Sequence, residues 1–153
     1  MEEKFKGLDF EEVHDMLGCC KNTEEKIEIY QRLVEIGEEN LCAQDGEGLF
    51  EDLNVMCSDV DLYTGSMHNL AFIYMERKEY AKAALILERA LILYRMQEEF
   101  LDPDFVWQRY YTLNGLVQCY TALGNKTWAI IHEYEKRLLE AKYEKIVFGL
   151  QDD

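Results

Sequence analysis

The chain has 153 residues, 48 % of them hydrophobic and 31 % charged, which is the composition of one ordinary globular domain. Its 31 acidic residues outnumber the 16 basic ones and give a formal net charge of -15, so its field repels nucleic-acid phosphates and anionic membrane surfaces. One proline and nine glycines are too few turn residues for an all-β protein. We therefore expect an all-α protein whose partners are neither nucleic acids nor membranes.

Two features indicate a cytoplasmic protein. Residues 1–5 lack the basic start and apolar stretch of a secretory signal, and the most apolar segment, 83–94, is interrupted by Glu88 and Arg89. Five cysteines, an odd number without a Cys-x-x-Cys spacing, are typical of reduced intracellular thiols. The sequence therefore predicts a cytoplasmic location and no membrane-spanning helix.

Capping residues mark helix starts in the first part of the chain. Asp9-x-x-Glu12 and Asn22-x-x-Glu25 have the spacing at which a capping side chain and a glutamate satisfy the first backbone N–H groups of a helix. Together with the apolar periodicity they predict six principal helices, at roughly 9–19, 23–38, 59–77, 79–97, 103–123 and 126–149.

Residues 40–58 do not fit this series. Leu49, Leu53 and Met56 have helical spacing, which indicates a short extra helix. A long structureless connection is unusual inside a compact domain. The alternative interpretation is a mobile flap that contributes to a binding site.

Farther along the chain, one apolar pattern occurs twice with an offset of 46 residues. The first copy consists of Met67, Leu70, Ala71 and Tyr74, and the second of Leu113, Leu116, Val117 and Tyr120. Ala83 and Ala129, which follow the two copies, keep the same offset. Asp102-Pro103 and Gly124-Asn125 supply a helix start and a helix stop around the second copy. The sequence thus predicts an internal repeat of a helix pair.

These residues resemble the tetratricopeptide repeat (TPR) family. The first copy continues into Tyr80, Ala83, Leu87 and Ala90-Leu91 and looks like a nearly complete repeat. The second copy retains Leu123-Gly124-Asn125 and Ala129 but carries Val117, Glu133 and Lys136 at positions where the family prefers small or apolar residues. The added segment 96–103 is similar to the longer linker of the kinesin-light-chain-like subgroup.

The resemblance implies a short right-handed solenoid of stacked, antiparallel helix pairs in a single domain, 1–153. The recognisable repeats span about 59–97 and 103–141, with a divergent helix pair at about 9–38 and an insertion at 40–58. In this family the first helices of the pairs line a concave groove that binds a peptide or a partner helix. The groove residues implied here are His68, Phe72, Met75, Tyr111, Asn114, Gln118 and Thr121. With no lysine among them, the grip on chaperone carboxylate ends known from one subgroup is not expected.

The sequence offers no catalytic or cofactor-binding pattern. Glu11-x-x-His14 has the spacing of a di-iron bundle ligand pair, but a second copy is missing, and Gly46-x-Gly48 is too short for a phosphate-binding fingerprint. We therefore expect no enzyme, metal or cofactor, and predict a protein- or peptide-binding adaptor or regulator. Its acidic charge either attracts a basic partner or serves solubility. A small all-helical enzyme or metal-binding bundle stays open as an alternative. So does self-assembly as a homodimer, with contacts from Phe5, Phe10, Phe148 and Leu150.

Overall fold

A computed structural model describes residues 3–43, 53–100 and 106–143, with side chains for 3–39, 62–95 and 106–143. Every regular element in these ranges is helical, so the all-α prediction is confirmed for them. The six α-helices of these ranges are α1 (Phe10–Asp15), α2 (Thr23–Ala43), α3 (Leu53–Glu76), α4 (Tyr80–Phe100), α5 (Val106–Ala122) and α6 (Lys126–Lys142). Two 3₁₀ turns, Glu3–Phe5 and Met16–Cys19, flank α1.

The helix boundaries differ from the predicted ones mainly in the first half. The predicted helix 9–19 ends at Asp15 and passes into a 3₁₀ turn that contains the poor helix former Gly18. Around the predicted insertion, α2 extends to Ala43 and α3 begins at Leu53. Leu53 and Met56 thus lie at the start of α3 rather than in a separate short helix, while Leu49 lies outside the described residues. The Asp102-Pro103 cap also lies outside them.

The two predicted caps of the first half are formed. Glu12 N–H donates to Asp9 Oδ1 at 2.8 Å, and Asp9 N–H donates to Glu12 Oε1 at 3.4 Å, which completes a capping box. Asn22 Oδ1 accepts from Glu25 N–H at 2.9 Å, but the Glu25 carboxylate accepts from Lys21 N–H at 2.6 Å instead of from Asn22. Both helices therefore begin at the residues that the sequence indicated.

The chain divides into two compact units, Met1–Ile73 and Tyr74–Asp153, with the division inside α3. In the first unit, α1 and its 3₁₀ turn pack on α2 around a core of Phe5, Val13, Ile29, Leu33 and Ile36. The prediction of one domain over 1–153 stays a prediction.

In the second unit, α4 packs on α5, and α5 packs on α6. A Cβ at Gly115 of α5 would lie 2.9 Å from Leu87 Cδ1 of α4, so the missing side chain lets these helices approach closely. Ala83, Ala90 and Leu91 are fully buried along α4. No helix in the described part of the chain is both long and apolar enough to cross a membrane.

Candidate functional site

The junction between α3 and α4 is a tight turn closed by two backbone hydrogen bonds. Glu79 N–H donates to Tyr74 C=O at 2.8 Å, and Lys78 N–H donates to Met75 C=O at 2.9 Å. Lys78 has a φ of 62°, in the left-handed region. These are the bonds and the conformation of a Schellman motif, which satisfies the last carbonyls of a helix while it reverses the chain.

The junction between α5 and α6 repeats this turn 46 residues later. Asn125 N–H donates to Tyr120 C=O at 2.8 Å, Gly124 N–H donates to Thr121 C=O at 3.1 Å, and Gly124 has a φ of 76°. Asn125 also caps α6, since its side chain accepts from Trp128 N–H at 3.3 Å. The predicted helix stop and N-cap at Gly124-Asn125 are therefore confirmed.

Side chains 46 residues apart also have corresponding environments. Met67 and Leu113 are both fully buried. Ser66 and Thr112 are buried hydroxyls that donate to the carbonyl four residues earlier, at 3.1 Å in the first copy and 2.7 Å in the second. The apolar pattern in the sequence thus corresponds to a pattern of burial in α3 and α5.

In the first unit, the predicted groove residues are His68 and Phe72 of α3. Their rings meet edge to face with centroids 5.4 Å apart, and Phe72 is 38 % exposed. Burial lowers the pKa of His68 to about 4, so its imidazole is neutral at pH 7. This pair presents an apolar aromatic surface rather than a charge.

In the second unit, the remaining groove residues fall into two groups. Tyr111, Gln118 and Thr121 of α5 are exposed, and the Tyr111 ring, 51 % exposed, stacks on Trp107 with centroids 5.7 Å apart. Met75 and Asn114 are half-buried. Three of these five side chains are therefore accessible to a partner.

The sequence reasoning missed a lysine that lies beside the predicted groove residues of α5. Lys136 Nζ of α6 donates to Asn114 Oδ1 at 3.0 Å and lies 3.1 Å from Glu133 Oε2. The lysine comes from the second helix of the pair, so a search of first-helix positions could not find it. Its charge is compensated by Glu133, which leaves a polar contact rather than an anion-binding position.

A second polar cluster, also missed, joins α4, α5 and α6. His132 Nε2 lies 2.6 Å from Glu88 Oε1, and Tyr120 Oη donates to the same oxygen at 3.0 Å. The Tyr120 and His132 rings stack with centroids 5.7 Å apart, and Trp128 packs against both rings. Each of the three helices thus contributes one member of the Glu88–Tyr120–His132 cluster.

The electrostatics of this cluster follow from burial and from its hydrogen bonds. Burial raises the pKa of Glu88, but the hydrogen bonds of His132 and Tyr120 outweigh burial, and its pKa lies below the ordinary 4.5. Burial and the contact with Glu88 raise the pKa of Tyr120 to about 12. Because His132 is only 2 % exposed, a substrate has little access to its ring, and the cluster is suited to holding three helices together.

One signal in the sequence pointed to this cluster. Glu88 interrupts the most apolar segment of the chain, and a carboxylate on a helix buried on several sides requires a partner from a neighbouring helix. Which residue supplies it depends on how α4, α5 and α6 pack, so the sequence alone could not identify His132.

The first unit contains open clefts around α1. One, of about 260 Å³, is lined by Phe10, Glu11, His14 and Leu62. His14 is exposed and its ring stacks on Phe10 with centroids 6.3 Å apart, as expected for a surface residue. A larger cleft, of about 500 Å³, includes Cys19 and Cys20 in its lining.

Across the described residues, no three His, Cys, Asp or Glu side chains come together as a group that could hold a metal ion. Among the described cysteines, Cys119 is buried, and burial raises the pKa of its thiol to about 11, which disfavours the nucleophilic thiolate. No protein-family model, curated protein or solved structure matches this chain. Its own residues are therefore the basis for a functional proposal.

Proposed function

We propose that this chain is a TPR-like helical-repeat protein that binds another protein or a peptide through the exposed face of α5. The observation that carries the proposal is the Schellman turn that occurs twice, 46 residues apart, with the same positions buried before it. A helix pair that recurs in one register cannot bury its apolar face alone, and stacking of such pairs leaves an extended surface for recognition.

The exposed members of the predicted groove have the chemistry of a protein-binding surface. Tyr111 and Phe72 are accessible aromatic side chains, which are favoured anchors in interfaces, and Gln118 and Thr121 add neutral hydrogen-bonding groups. We assign these exposed side chains to partner binding in a cytoplasmic adaptor or regulator without catalytic activity.

Charge favours a basic partner and distinguishes the two units. The first unit, Met1–Ile73, contains 18 acidic and 5 basic residues, a net charge of -13, whereas Tyr74–Asp153 contains 13 acidic and 11 basic residues, a net charge of -2. A basic polypeptide is therefore attracted mainly by the first unit, while contacts in the second unit depend on shape and apolar area.

Site-specific photo-crosslinking tests the proposed surface. A benzophenone side chain at position 118 of α5 should crosslink the partner in cells, because Gln118 is exposed among the predicted groove residues. The matched control carries the same group in place of Leu85, which is also exposed, on α4. Crosslinking with equal yield from both positions would contradict the proposal.

Affinity of the captured partner provides the quantitative test. Tyr111→Ala should weaken binding by about five-fold or more, the equivalent of ~1 kcal/mol, because the exposed ring is lost from the contact. Leu85→Ala should leave the affinity unchanged. Tyr111 is half exposed, so the variant should keep its helicity, which circular dichroism verifies. Unchanged affinity in folded Tyr111→Ala would place the binding surface elsewhere.

A further inference from the structure

The outward face of α6 carries four large apolar side chains, called the α6 stripe below. They are Ile130, Ile131, Tyr134 and Leu138, which are 67 %, 46 %, 65 % and 53 % exposed. At 100° per residue on a helix, the four directions fall within an arc of about 100°. The opposite side of α6 is buried at Ala129, His132 and Leu139. One side of α6 is therefore buried, and the opposite side exposes apolar side chains.

The exposure of these side chains needs an explanation, because monomeric proteins seldom expose large contiguous apolar patches. Four neighbouring side chains that are about half to two-thirds exposed form a patch of a few hundred Å², a size that marks an interaction surface. The stripe is thus a candidate interface.

Charge indicates which partner fits this face. The helix α6 contains four basic and three acidic residues, a net charge of +1, within a chain of net charge -15. The unit that contains it has a net charge of -2, so the repulsion between two copies of this unit is weak. A strongly charged partner gains little from so nearly neutral a surface.

The order of residues in the stripe suits a two-fold contact. Ile130 lies four residues before Tyr134 and Leu138 lies four residues after it, and the small residues Thr127 and Ala141 stand seven residues to either side. When two such helices cross antiparallel at Tyr134, Ile130 of each copy faces Leu138 of the other, which is the self-complementarity that an isologous interface requires.

We propose that the α6 stripe is the interface of a homodimer in which two copies pair their α6 helices antiparallel around Tyr134. Both stripes together, with their flanking residues, supply an area on the order of 1,000 Å², the lower bound for a specific interface. The dimer is independent of partner binding through α5, and it uses contacts other than Phe5, Phe10, Phe148 and Leu150.

Sedimentation velocity across the micromolar range tests the dimer. The wild-type chain should sediment with about twice its mass of 18.1 kDa, and Ile130→Glu should weaken association at least ten-fold because it buries a charge in the contact. The matched control is Ile92→Glu, which replaces an apolar residue of similar exposure (55 %) on α4 and should leave the dimer intact. Loss of association in both variants would contradict the proposed contact.

Crosslinking tests the orientation independently of the charge variant. The two copies of position 134 meet at the two-fold axis. In a background whose five native cysteines are replaced by alanine, Tyr134→Cys should therefore form a disulfide-linked dimer on mild oxidation, whereas Ile92→Cys should not. A wild-type protein that stays monomeric throughout the concentration range overturns the proposal. A ladder of higher oligomers overturns the isologous geometry, because a head-to-tail contact does not close.

Discussion

Gly115 offers a direct test of how closely α4 and α5 approach. Replacing a helical glycine by alanine stabilises an open position by about 0.5–1 kcal/mol, because it lowers the entropy of the unfolded chain. At Gly115 the new Cβ would stand 2.9 Å from Leu87 Cδ1, well inside the ~3.5–4.0 Å at which two carbon atoms attract each other. Leu87 is fully buried and has little room to move.

The steric term should therefore outweigh the backbone gain. Overpacking of a buried site costs about 1–3 kcal/mol, so we expect Gly115→Ala to lower the free energy of unfolding by ~0.5–2 kcal/mol. Gly65, in the middle of α3, is the matched control, because no atom lies within 4 Å of its added Cβ. Gly65→Ala should raise the free energy of unfolding by ~0.5–1 kcal/mol.

A double-mutant cycle with Leu87→Ala separates the contact from the backbone term. Once Leu87 is shortened, alanine at position 115 should become stabilising, which gives a coupling energy of about 1 kcal/mol or more. Denaturant unfolding followed by far-ultraviolet circular dichroism measures all four proteins. A Gly115→Ala variant as stable as Gly65→Ala, with a coupling energy near zero, would refute the close contact between α4 and α5.

Three further predictions address the two turns, His68 and Glu88. Lys78 and Gly124 both have a positive φ, which favours glycine. Lys78→Gly should therefore raise the free energy of unfolding by ~1 kcal/mol, and Gly124→Ala should lower it by about as much. Changes of the same sign in denaturant unfolding would contradict this prediction. In an NMR titration, His68 should have a pKa of about 4. Because this pKa lies below the ordinary histidine value of 6.5, the contribution of His68 to the free energy of unfolding is complete above pH 6.5 and is lost as the pH falls towards 4. The pKa of Glu88 is lowered, so its contribution to the free energy of unfolding is present above pH 4.5 and is lost as the pH falls below that value. Thermal melts of Glu88→Gln should therefore show a smaller loss of stability in acid than those of the wild-type chain.

Local signals in the sequence were sufficient for the starts of α1, α2 and α6. Capping at Asp9, Asn22 and Asn125 depends on side-chain and backbone groups within three or four residues, so the helix starts could be predicted from sequence. Lys78 is the instructive exception. It occupies the left-handed position that Gly124 fills in the second turn, and a search for glycine could not have identified it.

The site was less predictable because its contacts are formed between helices. Tyr111, Gln118 and Thr121, which the resemblance assigned to a groove, are exposed on α5, but the sequence could not reveal that Asn114 binds Lys136. The exposed stripe of α6 could not be predicted either. Apolar residues occur on more than one side of α6, and only the packing of α6 on α5 shows which of them are exposed.

Because the charge of the chain is unevenly distributed, the two proposed interactions should respond differently to salt. A basic partner is attracted by the first unit, with its net charge of -13, so its association rate should fall as salt rises from low to physiological levels. The proposed dimer pairs two helices of net charge +1 through apolar side chains, and salt screens the repulsion between two copies that each carry a net charge of -15. Its affinity should therefore stay constant or rise slightly over the same range. If dimer and partner complex weakened together, the acidic first unit would govern both, and the α6 stripe would not be the contact between copies.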